Sequence, residues 1–372
     1  MGSFNMQPIF DKITIIGVGL IGGSLGMAIL NQGLAARVTG VDETQNLELA
    51  VETEAIHEGV TCLETAVGDA DLVVVATPVG VSTEIIKKAA PLVKQGCIVT
   101  DVGSTKSDIV REAERLMPPG TCFVGGHPMT GSEISGVKGA DRYLFENAVY
   151  VLTPTKSTDR DAVAKVSRLA AAIGARVIEI DPDEHDLMVA TVSHLPHIVA
   201  TALVNTAGDL DLEHRGLLML AAGGFRDTTR VASGHPLMWR DICITNRDNI
   251  LKVLDRFGKV LKETREMVAA CDHGALAQSF GRAGETRRNI PSGIRGYLPL
   301  MYEITVTVPD RPGAIAGLAA CLGNAGININ DIEILRVREG EGGTVRLAFG
   351  SQADQDGAVV LLRSQGIAAK KR

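Results

Sequence analysis

The first half of the chain alternates short apolar runs with segments of helical periodicity. The runs cover residues 13–16, 38–41, 72–76, 97–101, 122–124 and 149–152. The run Leu-Val-Val-Val-Ala at 72–76 shows no alternation of apolar and polar positions, which is typical of a strand that is covered on both faces. Strands that alternate with helices in this way predict parallel βαβ units, and therefore an α/β domain over residues 10–180.

From residue 181 the strand-like runs disappear. The stretches 186–210 and 239–267 carry helical periodicity instead, which predicts an all-α domain over residues 181–275. Helices of this length usually need partners that cover their apolar faces. A bundle within one chain and a dimer that interleaves its helices would both satisfy them, and the sequence does not choose between the two.

A linker and a third domain are predicted after the helical part. The linker is placed at 276–298, because this region is rich in Gly, Arg, Ser and Asn and has little apolar periodicity. The domain over 299–372 has a cleanly alternating strand at 302–308, a helix over 312–324, strands within 327–337 and 344–349, and a helix near 354–363. With the short, weak segment 366–369 as a last strand, it forms an α+β, ferredoxin-like β-α-β-β-α-β module.

One segment raises the possibility of a membrane span. Residues 13–30 are uncharged over 18 positions and contain GxxxG spacings. The five glycines in this segment would cost a helix about 1 kcal/mol each. A β-branched run that stops at Gly17 indicates a buried strand entering a turn instead. The sequence therefore predicts no membrane association.

Composition narrows the function classes further. Of 372 residues, 45% are hydrophobic and 22% charged, which suits two or three folded cores. The net charge of −7 gives no electrostatic footprint for nucleic acid. The six cysteines include no CxxC pair, and residues 1–10 lack a signal-peptide pattern, so we expect a reduced, cytoplasmic location.

A dinucleotide fingerprint follows the first predicted strand. It consists of Gly17, Val18, Gly19, Leu20, Ile21 and Gly22, and it opens a helix. Gly17 permits the tight turn, Gly19 lets the backbone approach the pyrophosphate, and Gly22 packs helix on strand. Asp42 ends the next strand, where this Rossmann-type pattern places a ribose-binding acid. An acid there would repel a 2′-phosphate, so NAD is favoured over NADP.

Two later strand ends should border the same cofactor. Thr77 and Pro78 follow one strand, and Ser104 follows the next. Ligands of open α/β sheets bind at the carboxyl ends of the strands, which is where these residues lie. Ser104 and Thr105 have an alternative interpretation as N-caps of the helix that starts near Lys106, and Ser104 could serve both purposes.

The segment Gly-Gly-His-Pro-Met-Thr-Gly-Ser-Glu at 125–133 sets one histidine, His127, among glycines that cannot pack a core around it. Histidine has a pKa near neutrality, so an open backbone around it suggests an accessible proton acceptor. A histidine that caps a turn is the alternative. For Glu133 in the same segment the structural alternative is stronger, because an exposed Glu that opens a helix needs no function.

Two further clusters lie in the helical part. Ser193, His194 and His197 put two imidazoles on one helix face, but no third ligand has metal spacing, so polar substrate contacts are favoured and no metal site is predicted. Arg226, Asp227 and Arg230 follow paired glycines, a cluster of two arginines and an aspartate that suits bidentate capture of a carboxylate by an arginine. A solvated helix face is the alternative for the second cluster.

Taken in order, these motifs resemble those of prephenate dehydrogenases across nearly the whole chain. The matching motifs are GVGLIGGS, ATP, TDVGSTK, GGHPMTGSE, SHLPH, GGFRDTTR and PLMWRD. The segment 308–313, together with Gly-Ile-Asn-Ile-Asn at 326–330, looks like an ACT domain, an amino-acid-binding regulatory module found in some members.

The resemblance implies oxidative decarboxylation of prephenate with NAD to 4-hydroxyphenylpyruvate, in tyrosine biosynthesis. His127 would take the proton of the ring hydroxyl, Ser104 would orient hydroxyl and imidazole, and Arg230 would bind a substrate carboxylate. The other implied substrate-site residues are Ser193, His194, His197 and Asp227, with Glu133 and Trp239 as weaker matches. Tyrosine would bind as an effector near Asp310, Pro312, Gly313, Asn328, Asn330 and Asp331, usually across paired modules, and the chain is expected to be a homodimer.

Two other functions stay open at this point. An arogenate-preferring or dual-specificity dehydrogenase would carry the same motifs, because arogenate differs from prephenate only in its side chain. A non-catalytic NAD and amino-acid sensor would bind both ligands without turnover. The joint presence of His127, Ser104 and Arg230 argues against the sensor.

Overall fold

The structure is a computed structural model that describes residues 8–131, 134–289, 302–309, 311–335 and 343–371. The chain divides into two compact units, Met1–Gly296 and Tyr297–Arg372. The strands of the first unit are β1 Phe10–Ile16, β2 Ala35–Val41, β3 Glu58–Val60, β4 Leu72–Val75, β5 Ile98–Asp101, β6 Cys122–Pro128, β7 Val149–Thr153 and β8 Arg176–Glu179. Its helices up to the end of the sheet are α1 Leu20–Gln32, α2 Thr44–Glu52, α3 Leu63–Val67, α4 Val79–Ala89, α5 Ser107–Leu116 and α6 Arg160–Ala172.

The eight strands form one sheet with the order β3-β2-β1-β4-β5-β6-β7-β8. The first six strands of this order, from β3 at one edge to β6, are parallel to one another. The direction in which the chain adds strands reverses between β1 and β4, and this reversal creates the crevice where such sheets bind ligands. Two cores cover the two faces, one under α1, α2 and α6 and the other under α3, α4 and α5. The predicted α/β nucleotide-binding fold is confirmed.

The expectation of parallel strands throughout is wrong at one pair. Strand β7 runs antiparallel to β6. A parallel neighbour needs a crossover connection, usually a helix, whereas the described part of 129–148 has only a 3₁₀ turn, Val137–Gly139. The chain therefore returns from the same edge of the sheet at which β6 ends.

The helical part of the first unit follows the sheet. Its helices are α7 Pro182–Val189, α8 Leu195–Glu213, α9 Gly223–Thr229, α10 Pro236–Thr245, α11 Arg247–Ala269 and α12 His273–Asn289. A π-helical turn, Ala190–His194, joins α7 to α8. Pro196 has no N–H with which to continue the α-helical ladder, and the widened turn lies directly before it.

Helix α12 contradicts part of the predicted linker. Residues 276–289 were expected to be linker but are helical. Helix formers such as Ala, Leu, Gln, Arg and Glu outweigh the cost of Gly281 and Gly284, about 1 kcal/mol each. The Cβ of an alanine at Gly281 would meet no neighbouring atom within 4 Å, so this glycine is not required for close packing.

By length and composition, one helical stretch in the described part of the chain, Pro182–Glu213, could cross a membrane. Three of its polar side chains, His185, Asp186 and His194, are only 1% exposed. Asp186 accepts hydrogen bonds from the backbone at the start of α5, and His185 is bonded to a side chain of β6. These bonds tie the stretch into the folded unit.

The second unit has the predicted β-α-β-β-α-β order. Its elements are β9 Tyr302–Val308, α13 Ala314–Asn324, β10 Asp331–Leu335, β11 Gly343–Phe349, α14 Gln352–Ser364 and β12 Ala369–Lys371. The antiparallel sheet has the order β10-β11-β9-β12, so the short last strand completes the module beside β9. Buried Ile304, Leu347 and Phe349 on the sheet pack with Leu318 and Leu322 of α13.

Candidate active site

The glycine turn after β1 has the geometry that its sequence predicts. Gly17 has a φ of +92°, and a Cβ on it would lie 2.7 Å from the carbonyl oxygen of Ala76 at the end of β4. A Cβ on Gly22 would collide with the carbonyl oxygen of Gly17, so only glycine allows α1 to pack against the turn. A Cβ on Gly19, by contrast, meets nothing within 4 Å. The turn thus leaves open space at the start of α1.

Asp42 faces this turn from the end of β2. Its carboxylate accepts hydrogen bonds from the Val18 amide at 2.7 Å and from the Asn46 side chain at 2.8 Å. Leu20 and Ile21, in the first turn of α1, are half-buried. The remaining residues predicted to border the cofactor are Thr77, half-buried, with its hydroxyl 3.1 Å from that of Ser82, and Pro78, exposed at the start of α4.

His127 does not lie in an open loop, contrary to the sequence-based interpretation. Strand β6 extends through it to Pro128, and the side chain is 9% exposed. The preceding glycines serve close packing: a Cβ on Gly125 would collide with the Thr153 hydroxyl, and one on Gly126 would lie 2.6 Å from the Asp101 carbonyl oxygen. The imidazole is therefore held in a buried strand at the same sheet edge as the glycine turn.

A buried ion pair fixes the peptide unit before His127. The Lys106 ammonium pairs with the Asp101 carboxylate, and both side chains are fully buried. Lys106 donates to the carbonyl of Gly126 at 2.8 Å, and Asp101 accepts from the amide of Gly126 at 3.1 Å. Asp101 also accepts from the Gly103 amide at 2.9 Å. The two charges thereby hold β6 and the start of α5 together beneath the imidazole.

The ring of His127 is bonded to a second imidazole. Its Nδ1 lies 2.9 Å from Nε2 of His185 on α7. Nδ1 of His185 in turn lies 2.8 Å from the Asp186 carboxylate. All three side chains are buried.

Asp186 also caps helix α5. It accepts from the amides of Lys106 at 2.7 Å and Ser107 at 2.8 Å. The alternative of Ser104 or Thr105 as the N-cap is therefore wrong, because the cap comes from a distant helix. Ser104 is half-buried in the loop after β5, and the Thr105 hydroxyl donates to Thr245 on α10.

His194 and His197 lie on one helix face, as predicted, and both contact Trp239 of α10. The His197 ring stacks on the indole at 3.5 Å between centroids, and His194 meets it edge-on at 6.1 Å. A Cβ on Gly234 would collide with the indole and lie 3.2 Å from His197, so glycine is needed for this stack. The Asn246 amide group donates to Nδ1 of His194 at 3.2 Å, which leaves a proton on its Nε2.

The remaining predicted substrate residues are less enclosed. Asp227 on α9 and Arg230 in the following 3₁₀ turn are exposed, and Ser193 in the π-helical turn is half-buried. Glu133 lies outside the described residues. Among the residues that the structure describes, no group of three His, Cys, Asp or Glu side chains could hold a metal ion.

Burial controls the charge state of this site. It lowers the pKa of His127 well below the ordinary value of 6.5, and the neighbouring His185, Lys106 and His194 lower it further. Burial also lowers the pKa of His194 to about 4, against the opposing effect of Asp186. Both imidazoles are therefore neutral near pH 7.

The pKa values of buried Lys106 and Asp186 are lowered as well. Burial lowers the pKa of Lys106, and the Asp101 carboxylate offsets part of that effect. Burial alone would raise the pKa of Asp186, but hydrogen bonds from His185 and from the amides of Ser107 and Lys106 lower it below its usual value. Asp186 is therefore an ionised carboxylate.

In the second unit, the predicted effector residues surround the start of α13 and the segment before β10. Pro312, Gly313, Asn328 and Asn330 are exposed, and Gly313 has a left-handed φ of +86° at the helix start. Asp331 is paired with Arg346 at 2.7 Å. Asp310 lies outside the described residues.

The sequence does not reveal the roles of His185, Asp186, Asn246 and Gly234, nor the ion pair between Asp101 and Lys106 in a segment that was predicted to border the cofactor. The hydrogen-bonded partners are far apart in the sequence. Asp186 and Lys106 are separated by 80 positions, His127 and His185 by 58, and His194 and Asn246 by 52. The one local signal was the unusual pair of polar residues, His185 and Asp186, at the start of an otherwise apolar helical stretch.

Comparison with known proteins assigns the two units. The model of the prephenate dehydrogenase nucleotide-binding domain matches residues 25–179, that of the prephenate dehydrogenase dimerization domain matches 181–282, and that of the ACT domain matches 302–360. The chain is 37% identical to the prephenate dehydrogenase of Bacillus subtilis (strain 168) over 352 residues, which cover 94% of this chain and 95% of that protein.

Solved structures agree with these matches. The prephenate dehydrogenase of A. aeolicus, in complex with hydroxyphenyl propionate and NAD+, is 34% identical with a TM-score of 0.71, over 78% of this chain and 100% of that one. The arogenate dehydrogenase of Synechocystis is 32% identical with a TM-score of 0.66, and the match covers 74% of this chain and 99% of that one.

The fold, the glycine turn and these matches define the class of the protein as an NAD-dependent oxidoreductase. The chain belongs to the prephenate dehydrogenase family, with an ACT domain as its second unit.

Proposed function

We propose that the chain oxidises prephenate with NAD and releases 4-hydroxyphenylpyruvate, CO2 and NADH. The observation that carries this proposal is the buried, neutral His127, which lies at the same sheet edge as the glycine turn and has its Nδ1 bonded to His185. The relatives with 34–37% identity that are named prephenate dehydrogenases support the choice of substrate.

NAD fits the residues at the switch point of the sheet. Space is open beside Gly19, the N-terminus of α1 favours a pyrophosphate, and Asp42 is placed for a ribose hydroxyl. Thr77, Pro78 and Ser104 would border its nicotinamide half, and Leu20 and Ile21 would supply helix amides. When bound, NAD supplies the hydride acceptor.

His127 moves one proton in two directions. Its Nε2 takes the proton of the ring hydroxyl as the hydride leaves the carbon that bears it, and a carbonyl forms. The ring carboxylate then leaves as CO2, and its bonding electrons make the ring aromatic. The phenolate oxygen that results takes the proton back from His127. The histidine thus ends as it began, and no proton is consumed.

The substrate site would use the groups around Trp239. His197 Nδ1 is buried and has no hydrogen-bond partner among the described residues, which suits a polar substrate atom. His194 presents Nε2–H, a donor for a carboxylate or hydroxyl oxygen. Arg230 would bind a carboxylate, and Asp227 would hold the local geometry. Ser193 would line the pocket, and Ser104 would orient the hydroxyl toward His127. Glu133 is kept as a further substrate residue from the family resemblance.

Arogenate is the second candidate substrate, because a structural relative at 32% identity is an arogenate dehydrogenase. Rates of NADH formation from prephenate and from arogenate, measured side by side with the purified chain, separate the two. We expect turnover of prephenate with the higher kcat/KM. Turnover of arogenate alone would replace the substrate, and NAD binding without any turnover would indicate a sensor.

We also infer that the chain is a homodimer through residues 181–282. Support comes from the family's dimerization domain and from apolar side chains that one chain leaves in water, with Leu212, Met219 and Leu220 between 81% and 88% exposed. Light scattering of Leu212→Glu and Met219→Glu should show monomers. Val51→Glu, at an apolar residue 44% exposed on α2, is the matched control and should stay dimeric.

Tyrosine is proposed as the effector of the ACT domain. The left-handed Gly313 and the exposed Asn328 and Asn330 leave backbone and amide groups open for an amino acid at this edge. The carboxylate of Asp331, at the start of β10, is held by Arg346. Asp310 and Pro312 are the other residues that the resemblance assigns to the effector. Tyrosine should lower the rate of NADH formation in the wild type and lose this effect in Asn330→Ala, with basal turnover retained.

We further propose that the enzyme works in the cytoplasm. All six cysteines are free thiols, and Cys97 is fully buried, so the fold needs no oxidising compartment. Cell fractionation should place the activity with the soluble proteins.

A further inference from the structure

The three-residue chain from His127 through His185 to Asp186 links strand β6 to the start of α5. The side chains are 9%, 1% and 1% exposed, and the two bonds measure 2.9 and 2.8 Å. Each of these atoms has its hydrogen-bonding role set by its neighbour, because water has little access to the chain.

The ionised Asp186 determines where the ring protons lie. A carboxylate only accepts, so Nδ1 of His185 carries a proton and donates it. Two amides of α5 also donate to Asp186, so the carboxylate has three donors. An imidazole that donates through Nδ1 can accept through Nε2. In that arrangement Nδ1 of His127 is the donor of the next bond, which leaves its Nε2 without a proton.

We propose that His185, held by Asp186, is a positioning residue that keeps His127 in the one neutral tautomer whose Nε2 can accept a proton. The inference rests on the proposed role of His127 as the base. The same bond serves after proton uptake, because Nδ1–H of the His127 imidazolium continues to donate to His185 and places its charge near Asp186.

Two substitutions separate positioning from packing. His185→Phe keeps an aromatic ring but removes the acceptor, and we expect kcat to fall at least about 10-fold, because general-base catalysis contributes about 10²-fold or more. KM for prephenate and the Kd for NAD should stay within about 2-fold, since no binding contact changes. His185→Gln should restore most of kcat, because its amide retains an acceptor for His127 and a donor for Asp186.

The matched control is His273→Phe at an exposed histidine on α12. It makes the same chemical change far from β6 in sequence and should leave kcat and KM as in the wild type. Thermal unfolding of every variant reports whether the fold is kept.

NMR of the histidine ring nitrogens tests the tautomer without any turnover. The signals of His127 are assigned by their loss in His127→Asn. We expect the Nδ1–H form in the wild type and in His185→Gln, and loss of that preference in His185→Phe. The Nε2–H form of His127 in the wild type would overturn the proposal, as would an unchanged kcat in a folded His185→Phe.

The outcomes also separate this inference from the proposed function. A wild-type enzyme without turnover of prephenate would contradict the function while the spectrum still reports the tautomer. Normal turnover with the Nε2–H tautomer would contradict the positioning role alone. If His185→Phe does not fold, the wild-type spectrum and the activity of His185→Gln decide the question.

Discussion

At the scale of single residues, the buried surroundings of His127 determine what it can do. The ring is neutral because burial lowers its pKa well below 6.5, and the backbone on its N-terminal side is held by Asp101 and Lys106. A base that is already deprotonated and fixed needs no rearrangement before it accepts a proton. Reactivity here thus depends on packing as much as on the imidazole itself.

Replacement of His127 tests its role as the base. His127→Asn should lower kcat by at least about 10²-fold, the usual contribution of a general base. The Kd for NAD should remain near the wild-type value, because the glycine turn is unaltered. Stopped-flow and steady-state rates of NADH formation measure the effect, with His273→Asn as the control. Wild-type turnover in His127→Asn would refute the assignment.

Arg230 is predicted to act in substrate binding. Arg230→Ala should raise KM for prephenate by about 10-fold or more, as expected for a lost charge-assisted bond of about 1.5–3 kcal/mol. The change in kcat should be smaller, because a carboxylate contact is present before and during the reaction. Arg226→Ala, four residues earlier and also exposed, is the matched control. An unchanged KM in Arg230→Ala would remove it from the site.

The roles of single residues could be predicted where the cause is local. The tasks of Gly17 and Gly22 follow from the turn between a strand and a helix, and the structure has that geometry. Gly125 and Gly126 were misinterpreted, because a glycine that opens a loop and one that permits close packing look alike in a sequence. The partners of His127 and His194 could not be predicted, since they come from distant segments of the chain.

Among the secondary-structure elements, strands that are buried on both faces could be predicted from the sequence, whereas short or half-exposed strands could not. All six apolar runs of the first domain form strands. Strands β3 and β8 were missed because β3 has three residues and β8 is a half-exposed edge strand, so neither has a continuous apolar run. Helix α12 was missed because its glycines and arginines resemble a linker.

The packing of α1 on β1 predicts different effects for alanine at Gly22 and at Gly19. Gly22→Ala should lower the free energy of unfolding by about 1–3 kcal/mol, because the new methyl group meets the backbone of Gly17. Gly19→Ala should leave the unfolding free energy of the NAD-free protein nearly unchanged, because its Cβ points into open space. It should instead weaken NAD binding at least about 10-fold, equivalent to about 1.4 kcal/mol.

Thermal unfolding without NAD and titration of NAD measure these two effects separately. Equal losses of stability in Gly19→Ala and Gly22→Ala would contradict the division of roles within the fingerprint.

At the scale of the whole molecule, buried neutral histidines couple stability to pH. The unfolded chain binds protons at His194 near pH 6.5, whereas the folded chain does so only at about 4. The stabilising effect of neutral His194 is therefore complete above pH 6.5 and is lost as the pH falls toward 4. Its size over that window is roughly 3 kcal/mol at 1.4 kcal/mol per pKa unit.

The free energy of unfolding should thus fall more steeply between pH 7 and 5 in the wild type than in His194→Asn. Denaturant unfolding at several pH values measures the two slopes. Asp186, His185 and His197 also act on His194 and are unchanged in this comparison. Equal slopes would show that His194 titrates alike in the folded and unfolded chain.

The order of the three domains follows from composition and periodicity, so it could be predicted at this scale. The association of two chains could not, because a single-chain bundle and an interleaved dimer have the same apolar pattern. The dimer is favoured because Leu212, Met219 and Leu220 are exposed in the single chain, a feature that the structure reveals and the sequence does not.

The role of His127 as the base in prephenate oxidation is tested most directly by NADH formation from prephenate in the purified wild type and in His127→Asn. We expect steady turnover with release of 4-hydroxyphenylpyruvate in the wild type and at least about 10²-fold slower turnover in the variant, with NAD bound equally well by both. Tight NAD binding without NADH formation in the wild type, or equal turnover in both proteins, would contradict this role.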